Sequence, residues 1–349
     1  MTRSQKRRFL LVAVVGLIGG LIGYVYTSLS YRPGAPDAAS PLRGVRVGIL
    51  IAASGTAFEV MAMRGPIGRW LKRLPVLPSF VVRTLIYTGL ISAILQLNVR
   101  IISLSHADFS GVYRFDDMVR DVTFSLAATA AIIFVIQMRQ LIGPRTFRNL
   151  LSGRYHSPRR EERIFVIFDI VGSTAAAERL GDERFHAFVS QVFFDIDAPI
   201  VDHGGEVMSF VGDALIADWP LLTRERNGQA VRAALDVMDV LHDRASAYEA
   251  RFGFTPRLRA VLHGGPVIAG ETGDSRRQIT YLGDVLNIAS RIEGVAKGTG
   301  TQIAISDSLL VRSALPEDAH AEPLGEFPVK GAERPVAISA IVRDAGRGE

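Results

Sequence analysis

Near the start of the chain lies a run of 21 residues without a charge, Phe9 to Leu29, which must be buried in protein or in lipid. At about 1.5 Å per residue, a helix of this length crosses a hydrocarbon core of about 30 Å. A cleaved signal peptide also begins with basic residues and an apolar run, but no Ala-x-Ala cleavage site follows before Arg32. The run therefore predicts a transmembrane helix at about residues 9–29.

Three further apolar stretches follow, at about residues 47–63, 84–99 and 122–138. They are shorter than the first, at the lower limit for a membrane span. We expect a four-helix transmembrane anchor over residues 1–138, in contact with the lipid bilayer and open to an unidentified membrane ligand or partner.

Charge is divided unevenly along the chain. Residues 1–160 contain 21 Lys and Arg against 6 Asp and Glu, whereas residues 161–349 contain 19 against 29. The basic residues of the first part concentrate at the N-terminus, between the second and third apolar stretches, and after the fourth. This positive-inside pattern predicts a multi-pass protein with both chain ends in the cytoplasm. It argues against nucleic-acid binding, which would need the arginines on one folded face.

After a basic connector at residues 139–162, the pattern changes to that of an α+β domain over about residues 163–342, with a tail at 343–349. Strands are predicted near 163–168, 206–211, 214–219, 257–263, 267–271, 278–282, 302–305 and 335–341, and helices near 174–180, 183–201, 229–252 and 285–296. This order predicts a split βαβ sheet covered on one face by helices. The chain has no cysteine, which excludes disulfides, thiolate metal sites and a cysteine nucleophile.

Two aspartates are placed where they can act together. Asp169 follows the first predicted strand, and Asp213 lies in the two-residue turn of the predicted hairpin. In a split βαβ sheet these strands are neighbours, so both carboxylates reach one end of the sheet. Taken singly, each is an ordinary cap or turn residue. Two carboxylates together with substrate phosphates are a common way to hold Mg²⁺.

A second polar group lies on the last predicted helix. Asn287 and Arg291 are spaced i, i+4 and therefore share one face. An amide and a guanidinium there suit a ribose oxygen and a developing phosphoryl oxyanion, although a solvated surface pair has the same spacing. Lys330, in a turn beside Gly331, can neutralise a polyphosphate or be a plain surface residue.

Four segments resemble the class III nucleotidyl (adenylyl/guanylyl) cyclase catalytic domain, in order and spacing. They are FVIFDIVGST (165–174), MSFVGDALIADWP (208–220), YLGDVLNIASRIE (281–293) and FPVKGAERPV (327–336). The resemblance covers about residues 161–342 and points to a bacterial, membrane-anchored type at the inner membrane. It implies a ferredoxin-like α+β fold that dimerises head to tail, with active sites between the two protomers.

The resemblance also implies roles for individual residues. Asp169, Asp213 and the Ile170 carbonyl would hold two Mg²⁺ or Mn²⁺ ions on one protomer. Asn287, Arg291 and Lys330 would come from the other protomer of a homodimer. The implied reaction is that of an adenylate cyclase, a phosphorus-oxygen lyase in which the ribose 3′-hydroxyl of ATP attacks the α-phosphate.

The purine-binding positions depart from the family pattern. Ser209 stands where adenylyl cyclases of the family usually have lysine, and Thr280 stands at the matching acceptor position. Hydroxyls both donate and accept, so this pair separates adenine from guanine less firmly than a Lys/Asp pair does. Neither position has the glutamate that favours guanine, so we expect ATP. A guanylyl cyclase and a non-catalytic, nucleotide-binding membrane receptor remain alternatives.

Overall fold

The computed structural model describes residues 3–29, 41–62, 74, 76–105, 115–142, 147, 153–274, 278–328 and 335–344. The chain forms two compact units, Met1–Leu141 and Ile142–Glu349. The boundary between the two units lies within the predicted connector, residues 139–162. Of the predicted tail at 343–349, residues 345–349 lie outside the described residues.

The first unit is helical in its described residues. Its helices are α1 (Arg3–Leu29), α2 (Pro41–Ala62), α3 (Val76–Ser105) and α4 (Phe115–Ile142). Each contains most or all of one predicted span and extends beyond it at one end or both. By length and hydropathy, Phe9–Leu29 is the one described helical segment sufficient to cross a membrane, while Gly44–Phe58 and Val81–Leu97 are shorter apolar segments.

Helices α1 and α2 approach each other through glycine. A Cβ atom added to Gly19 would lie 2.3 Å from the Ala52 Cβ and 2.5 Å from the Gly48 carbonyl oxygen. One added to Gly23 would lie 2.0 Å from the Gly44 carbonyl oxygen. These distances are too short for any side chain, so the contact requires glycine at these positions.

The other two helices join this pair through apolar and polar contacts. Ile51 of α2 packs with Ile91 and Leu95 of α3. The Tyr26 hydroxyl, near the end of α1, donates to Asp121 Oδ1 near the start of α4 at 2.5 Å. The end of α1 therefore lies beside the start of α4.

In its described residues, the second unit is built on one eight-stranded sheet. Its strands are β1 (Arg159–Ile170), β2 (Glu206–Val211), β3 (Ala214–Pro220), β4 (Leu258–Thr272), β5 (Gln278–Leu282), β6 (Ile303–Ser306), β7 (Ala319–Phe327) and β8 (Val336–Arg343). The order is β2-β3-β1-β4-β6-β8-β7, and β5 pairs with β4. Strand β1 lies between β3 and β4, antiparallel to both, as the split βαβ prediction requires.

Helices cover both faces of this sheet. The helices are α5 (Ser173–Leu180), α6 (Asp182–Asp202), α7 (Arg224–Asp243), α8 (Ala245–Phe252), α9 (Asp284–Thr299) and the short α10 (Asp307–Leu310). The main core joins α6, α7 and α8 to alternate residues of β1, such as Val166 and Phe168. Helix α9 buries Val285 against Phe165 and Ile292 against Val261, residues of the opposite face. The expectation of helices on one face only was therefore wrong.

Other elements also differ from the predictions. The strands predicted at 257–263 and 267–271 are one continuous strand, β4, because β1 pairs with it without interruption from Leu258 to Ala269. The predicted helix at 229–252 is two helices, because Arg244 (φ −97°, ψ 5°) ends α7. Strand β7 was not predicted, since Pro323 and Gly325 interrupt its alternation.

A buried ion cluster fixes the beginning of β1. Arg163, with 3% of its side chain exposed, donates to Asp218 Oδ2 on β3 at 3.3 Å, to the Tyr155 hydroxyl at 3.1 Å, and to Glu161. The Tyr155 carbonyl accepts a backbone hydrogen bond from Glu271 of β4 at 3.1 Å. The last residues of the predicted connector are therefore part of the folded second unit.

Candidate active site

Asp169 and Asp213 lie at the same end of the sheet. In the β1–β3 ladder, Asp169 is opposite Ala214, the residue that follows Asp213. Between β2 and β3, Gly212 adopts φ +60°, the left-handed conformation that glycine tolerates best and that turns the chain at Asp213. Asp169 is buried, with 6% of its surface exposed, whereas Asp213 is half-buried.

Strand β1 ends at Ile170, which is also buried. The next amide, that of Val171, donates to the Arg257 carbonyl at 2.8 Å, and this bond fixes the loop that leads to α5. A cavity of about 220 Å³ opens beside this loop, and Ile170, Gly172 and Arg257 are part of its lining.

Three charged residues that the sequence did not indicate surround Asp169. Its Oδ2 atom lies 3.4 Å from Arg259 Nη1 and 3.4 Å from Lys297 Nζ. Lys297 Nζ also lies 2.6 Å from Glu293 Oε1. The i, i+4 spacing of Glu293 and Lys297 indicates their mutual contact, but their approach to Asp169 depends on how α9 lies across the sheet.

Burial raises the pKa of the Asp169 carboxyl. Lys297 opposes this effect, and the negative charges of Glu293 and Asp213 add to it. The hydrogen bond to Glu293 has the largest effect on Lys297 and raises its pKa; burial opposes it, and the charge of Asp169 adds to the increase. Asp169 thus lies among charges of both signs, with Arg259 and Lys297 as cations beside it and Glu293 and Asp213 as further negative charges.

The donor set fits a hard divalent cation. Carboxylate and carbonyl oxygens are the ligands that Mg²⁺ and Mn²⁺ prefer, and two carboxylates leave coordination positions for a substrate and water. Among the described residues, no group of three or more His, Cys, Asp or Glu side chains is arranged to enclose a metal. Any metal here would therefore depend on Asp169, Asp213 and further oxygens from the backbone or a ligand.

Asn287 and Arg291 occupy a different face of α9 from Glu293 and Lys297. Helical residues advance by about 100° each, so the two pairs lie about 120° apart around the helix. Both Asn287 and Arg291 are exposed, while Val285, Ala289, Ile292 and Ala296 form the buried face. The structure therefore does not bring Asn287 and Arg291 to Asp169 within one protomer. Lys330 lies outside the described residues.

The two predicted purine-binding residues flank one apolar cluster. Ser209 on β2 follows Met208, and Thr280 on β5 precedes Tyr281; Met208 and Tyr281 both pack against the buried cluster of Phe165, Val267 and Val285. The Thr280 hydroxyl lies 2.6 Å from the Thr272 hydroxyl and donates to the Gly270 carbonyl at 3.4 Å. Thr272, which the sequence did not indicate, is thus the hydrogen-bonding neighbour of Thr280.

The sheet, its buried carboxylate and the motifs agree with one family of enzymes. Residues 157–340, more than half of the chain, match the family model of the adenylate and guanylate cyclase catalytic domain. The chain belongs to this family.

Two curated relatives and one solved structure illustrate the similarity. The chain is 36% identical over 228 residues to adenylate cyclase 2 of Rhizobium meliloti (strain 1021), covering 65% of this chain and 63% of the relative. It is 30% identical over 186 residues to adenylate cyclase 1 of the same organism, covering 52% and 28%. The chain thus spans less than two thirds of these relatives. A bacterial light-regulated adenylyl cyclase shares the fold, with a TM-score of 0.53 and 21% identity over 66% of this chain and 67% of that one.

Proposed function

We propose that this chain is a membrane-anchored adenylate cyclase that converts ATP to 3′,5′-cyclic AMP and pyrophosphate. The observation that carries the proposal is that buried Asp169 and Asp213 lie at the same end of the sheet in a member of the cyclase family. The two curated relatives described above are both named adenylate cyclases, which favours ATP over GTP.

Asp169, Asp213 and the Ile170 carbonyl are the proposed metal ligands. Two divalent ions, Mg²⁺ or Mn²⁺, would supply the Lewis acidity that lowers the pKa of the ribose 3′-hydroxyl and neutralises the pyrophosphate. The chain's own contribution is to hold these oxygens in place through the β1–β3 ladder. In the reaction a bond forms between O3′ and the α-phosphorus, the bond from that phosphorus to the bridging oxygen breaks, and the hydroxyl proton leaves to solvent or substrate.

The second half of the site would come from another copy of the chain. Asn287 and Arg291 are exposed on a face of α9 that does not approach the Asp169 of their own protomer, as expected of residues that act across a dimer interface. Arg291 would stabilise charge on the α-phosphoryl oxygens, Asn287 would orient the ribose, and Lys330 would hold the departing pyrophosphate. Strands β2 and β5 carry large exposed apolar side chains that are available to contact the partner in such a homodimer, namely Phe210, Val211 and Leu282.

The hydrogen bonds of Thr280 favour adenine. Its proton is used within the chain, toward Gly270 or Thr272, so a lone pair remains for a donor from the base. The exocyclic amine of adenine is such a donor, whereas guanine has a carbonyl oxygen at the same ring position. Ser209 would donate to a ring nitrogen.

The helical unit is proposed as a four-span anchor in a bacterial inner membrane, with the catalytic unit in the cytoplasm. Glycine-mediated helix contacts, as in α1 and α2, are characteristic of packing in lipid, where small residues allow close backbone approach. Leu17 and Leu21 point outward from the same helix pair. The contact of Tyr26 with Asp121 places the end of α1 beside the start of α4, as four antiparallel spans require.

Product analysis of the full chain in detergent, with Mn²⁺ and either ATP or GTP, tests the proposal. We expect cyclic AMP from ATP and a lower rate with GTP. Cyclic GMP as the main product would favour a guanylyl cyclase. Nucleotide binding without a cyclic product from either would contradict enzymatic activity and favour a receptor.

Two variants test the assigned roles in the same assay. Asp213→Ala should abolish turnover because a metal ligand is lost. Arg291→Ala should lower kcat far more than it raises KM, because its interaction is made in the transition state. A loss through KM alone would contradict that role.

A further inference from the structure

Lys297 lies between two carboxylates at the candidate metal site. Its ammonium is 2.6 Å from Glu293 on its own helix and 3.4 Å from Asp169 on β1. The Lys297 side chain is 51% exposed, whereas those of Asp169 and Glu293 are 8% and 17% exposed. A half-exposed cation is therefore held by two carboxylates that are largely buried.

The position of this ammonium matters because Asp169 is a proposed metal ligand. Two cations competing for one carboxylate oxygen repel each other, and a flexible four-carbon side chain can move away at little cost. Glu293, four residues before Lys297 on α9, is the nearby position that can receive the ammonium. Arg259, by contrast, is 9% exposed and also donates to the Thr301 carbonyl, so it is fixed in place.

We propose that Lys297 is a built-in counter-ion that competes with the divalent metal for Asp169 and moves onto Glu293 when metal binds. It would keep Asp169 charge-balanced in the metal-free protein and weaken metal binding in the absence of substrate. This inference rests on the proposed metal site at Asp169.

Binding of Mn²⁺ alone to the full chain in detergent, without nucleotide, measures the competition directly. Water-proton relaxation at pH 8 gives the dissociation constant. Lys297→Met should tighten Mn²⁺ binding by about fivefold, on the scale of a half-exposed ion pair. Lys297→Arg, which keeps the charge, should not tighten it.

Arg312→Met is the matched control. It also removes one positive charge, but Arg312 pairs with Glu162, seven residues from Asp169 along β1 and hence about 23 Å away. It should leave Mn²⁺ affinity unchanged. An equal gain in this variant would show a general charge effect and overturn the proposal.

Glu293→Gln tests the second position of the ammonium. Without Glu293, Lys297 has only Asp169 to pair with, so Mn²⁺ binding should weaken. In the Lys297→Met background the same substitution should lose most of this effect, because the two residues then no longer act through each other. Equal effects in both backgrounds would contradict the movement of Lys297.

Asp169→Asn separates this inference from the proposed function. If Asp169→Asn leaves Mn²⁺ affinity unchanged, the metal site itself is wrong and both proposals fail. If it weakens binding while Lys297→Met fails to tighten it, the metal site stands and the counter-ion role is overturned.

Discussion

The hydroxyl oxygens of Thr272 and Thr280 lie 2.6 Å apart on the β4–β5 pair. Thr280 is the proposed partner of the purine amine, and Thr272 restricts how its hydroxyl is oriented. Thr272→Val removes one of the two acceptors of the Thr280 proton and leaves the Gly270 carbonyl, at the longer distance of 3.4 Å, as the other. We expect the Thr280 hydroxyl then to donate more readily to the base, which helps guanine. The ratio of kcat/KM for ATP over GTP should fall by about fivefold, on the scale of one hydrogen bond.

Two controls accompany Thr272→Val. Thr272→Ser keeps the hydroxyl and should retain the ratio. Thr299→Val removes an exposed hydroxyl from another threonine pair, Thr299 and Thr301 at 2.8 Å, and should also leave the ratio unchanged. An unchanged ratio in Thr272→Val would show that Thr272 does not influence purine choice.

Because α1 and α2 are in close contact, we expect any side chain added at the centre of this contact to reduce the stability of the protein. Gly19→Leu places atoms where Ala52 and the Gly48 carbonyl already lie, so the helices must separate at a cost of about 1–3 kcal/mol. Thermal unfolding in detergent should show a lower midpoint. Gly89→Leu is the control, because a Cβ at Gly89 meets nothing within 4 Å. Equal losses in the two variants would contradict the packing described.

The buried Arg163 cluster and the exposed Arg312 pair should respond differently to the same substitution. Arg163→Met leaves Asp218 and Glu161 without their buried counter-charge, which costs about 3–5 kcal/mol. Arg312→Met breaks a half-exposed pair with Glu162, which costs about 0–1 kcal/mol. Denaturant unfolding monitored by tryptophan fluorescence, to which buried Trp219 contributes, measures both. Similar losses of stability in the two variants would argue against the view that the Arg163 cluster holds the end of the connector in place.

Because His263 is buried, we expect the protein to lose stability in mild acid. Burial lowers the pKa of its imidazole to about 4, and its Nδ1 lies 2.7 Å from Ser306 Oγ. The unfolded chain takes up a proton near pH 6.5 and the folded protein only near pH 4, so stability falls as the pH decreases between these values, by up to about 3 kcal/mol. The unfolding midpoint of wild type should fall more steeply over this range than that of His263→Gln. Parallel profiles would exclude His263 as the cause.

Local pattern was sufficient to predict much of the fold and the placement of Asp169 near Asp213. The apolar run of β1 and the Gly212-Asp213 turn predicted two adjacent strand ends, and the adjacency of Asp169 and Asp213 was confirmed. The family expected from the four motifs was also confirmed. Arg259 and Lys297 were missed because their approach to Asp169 depends on strand pairing and on the crossing of α9, which are non-local. Strand β7 was missed because its residues do not alternate regularly.

The membrane spans and the assignments of Asn287, Arg291 and Lys330 stay predictions. These predictions concern contacts with lipid and with a second protomer. In a single chain, residues that make such contacts are visible only as exposed residues. The exposure of Asn287 and Arg291 is therefore informative when it is combined with the opposite placement of Lys297 on the same helix.

Mixing two inactive variants tests most directly whether the proposed cyclase has its active sites between two protomers. Asp213→Ala and Arg291→Ala should each make almost no cyclic AMP alone. Co-expressed in equal amounts, half of the dimers are mixed and each mixed dimer has one intact site, so about a quarter of the wild-type rate should return. No recovery of cyclic AMP synthesis in verified mixed dimers would contradict a site shared between two copies of the chain.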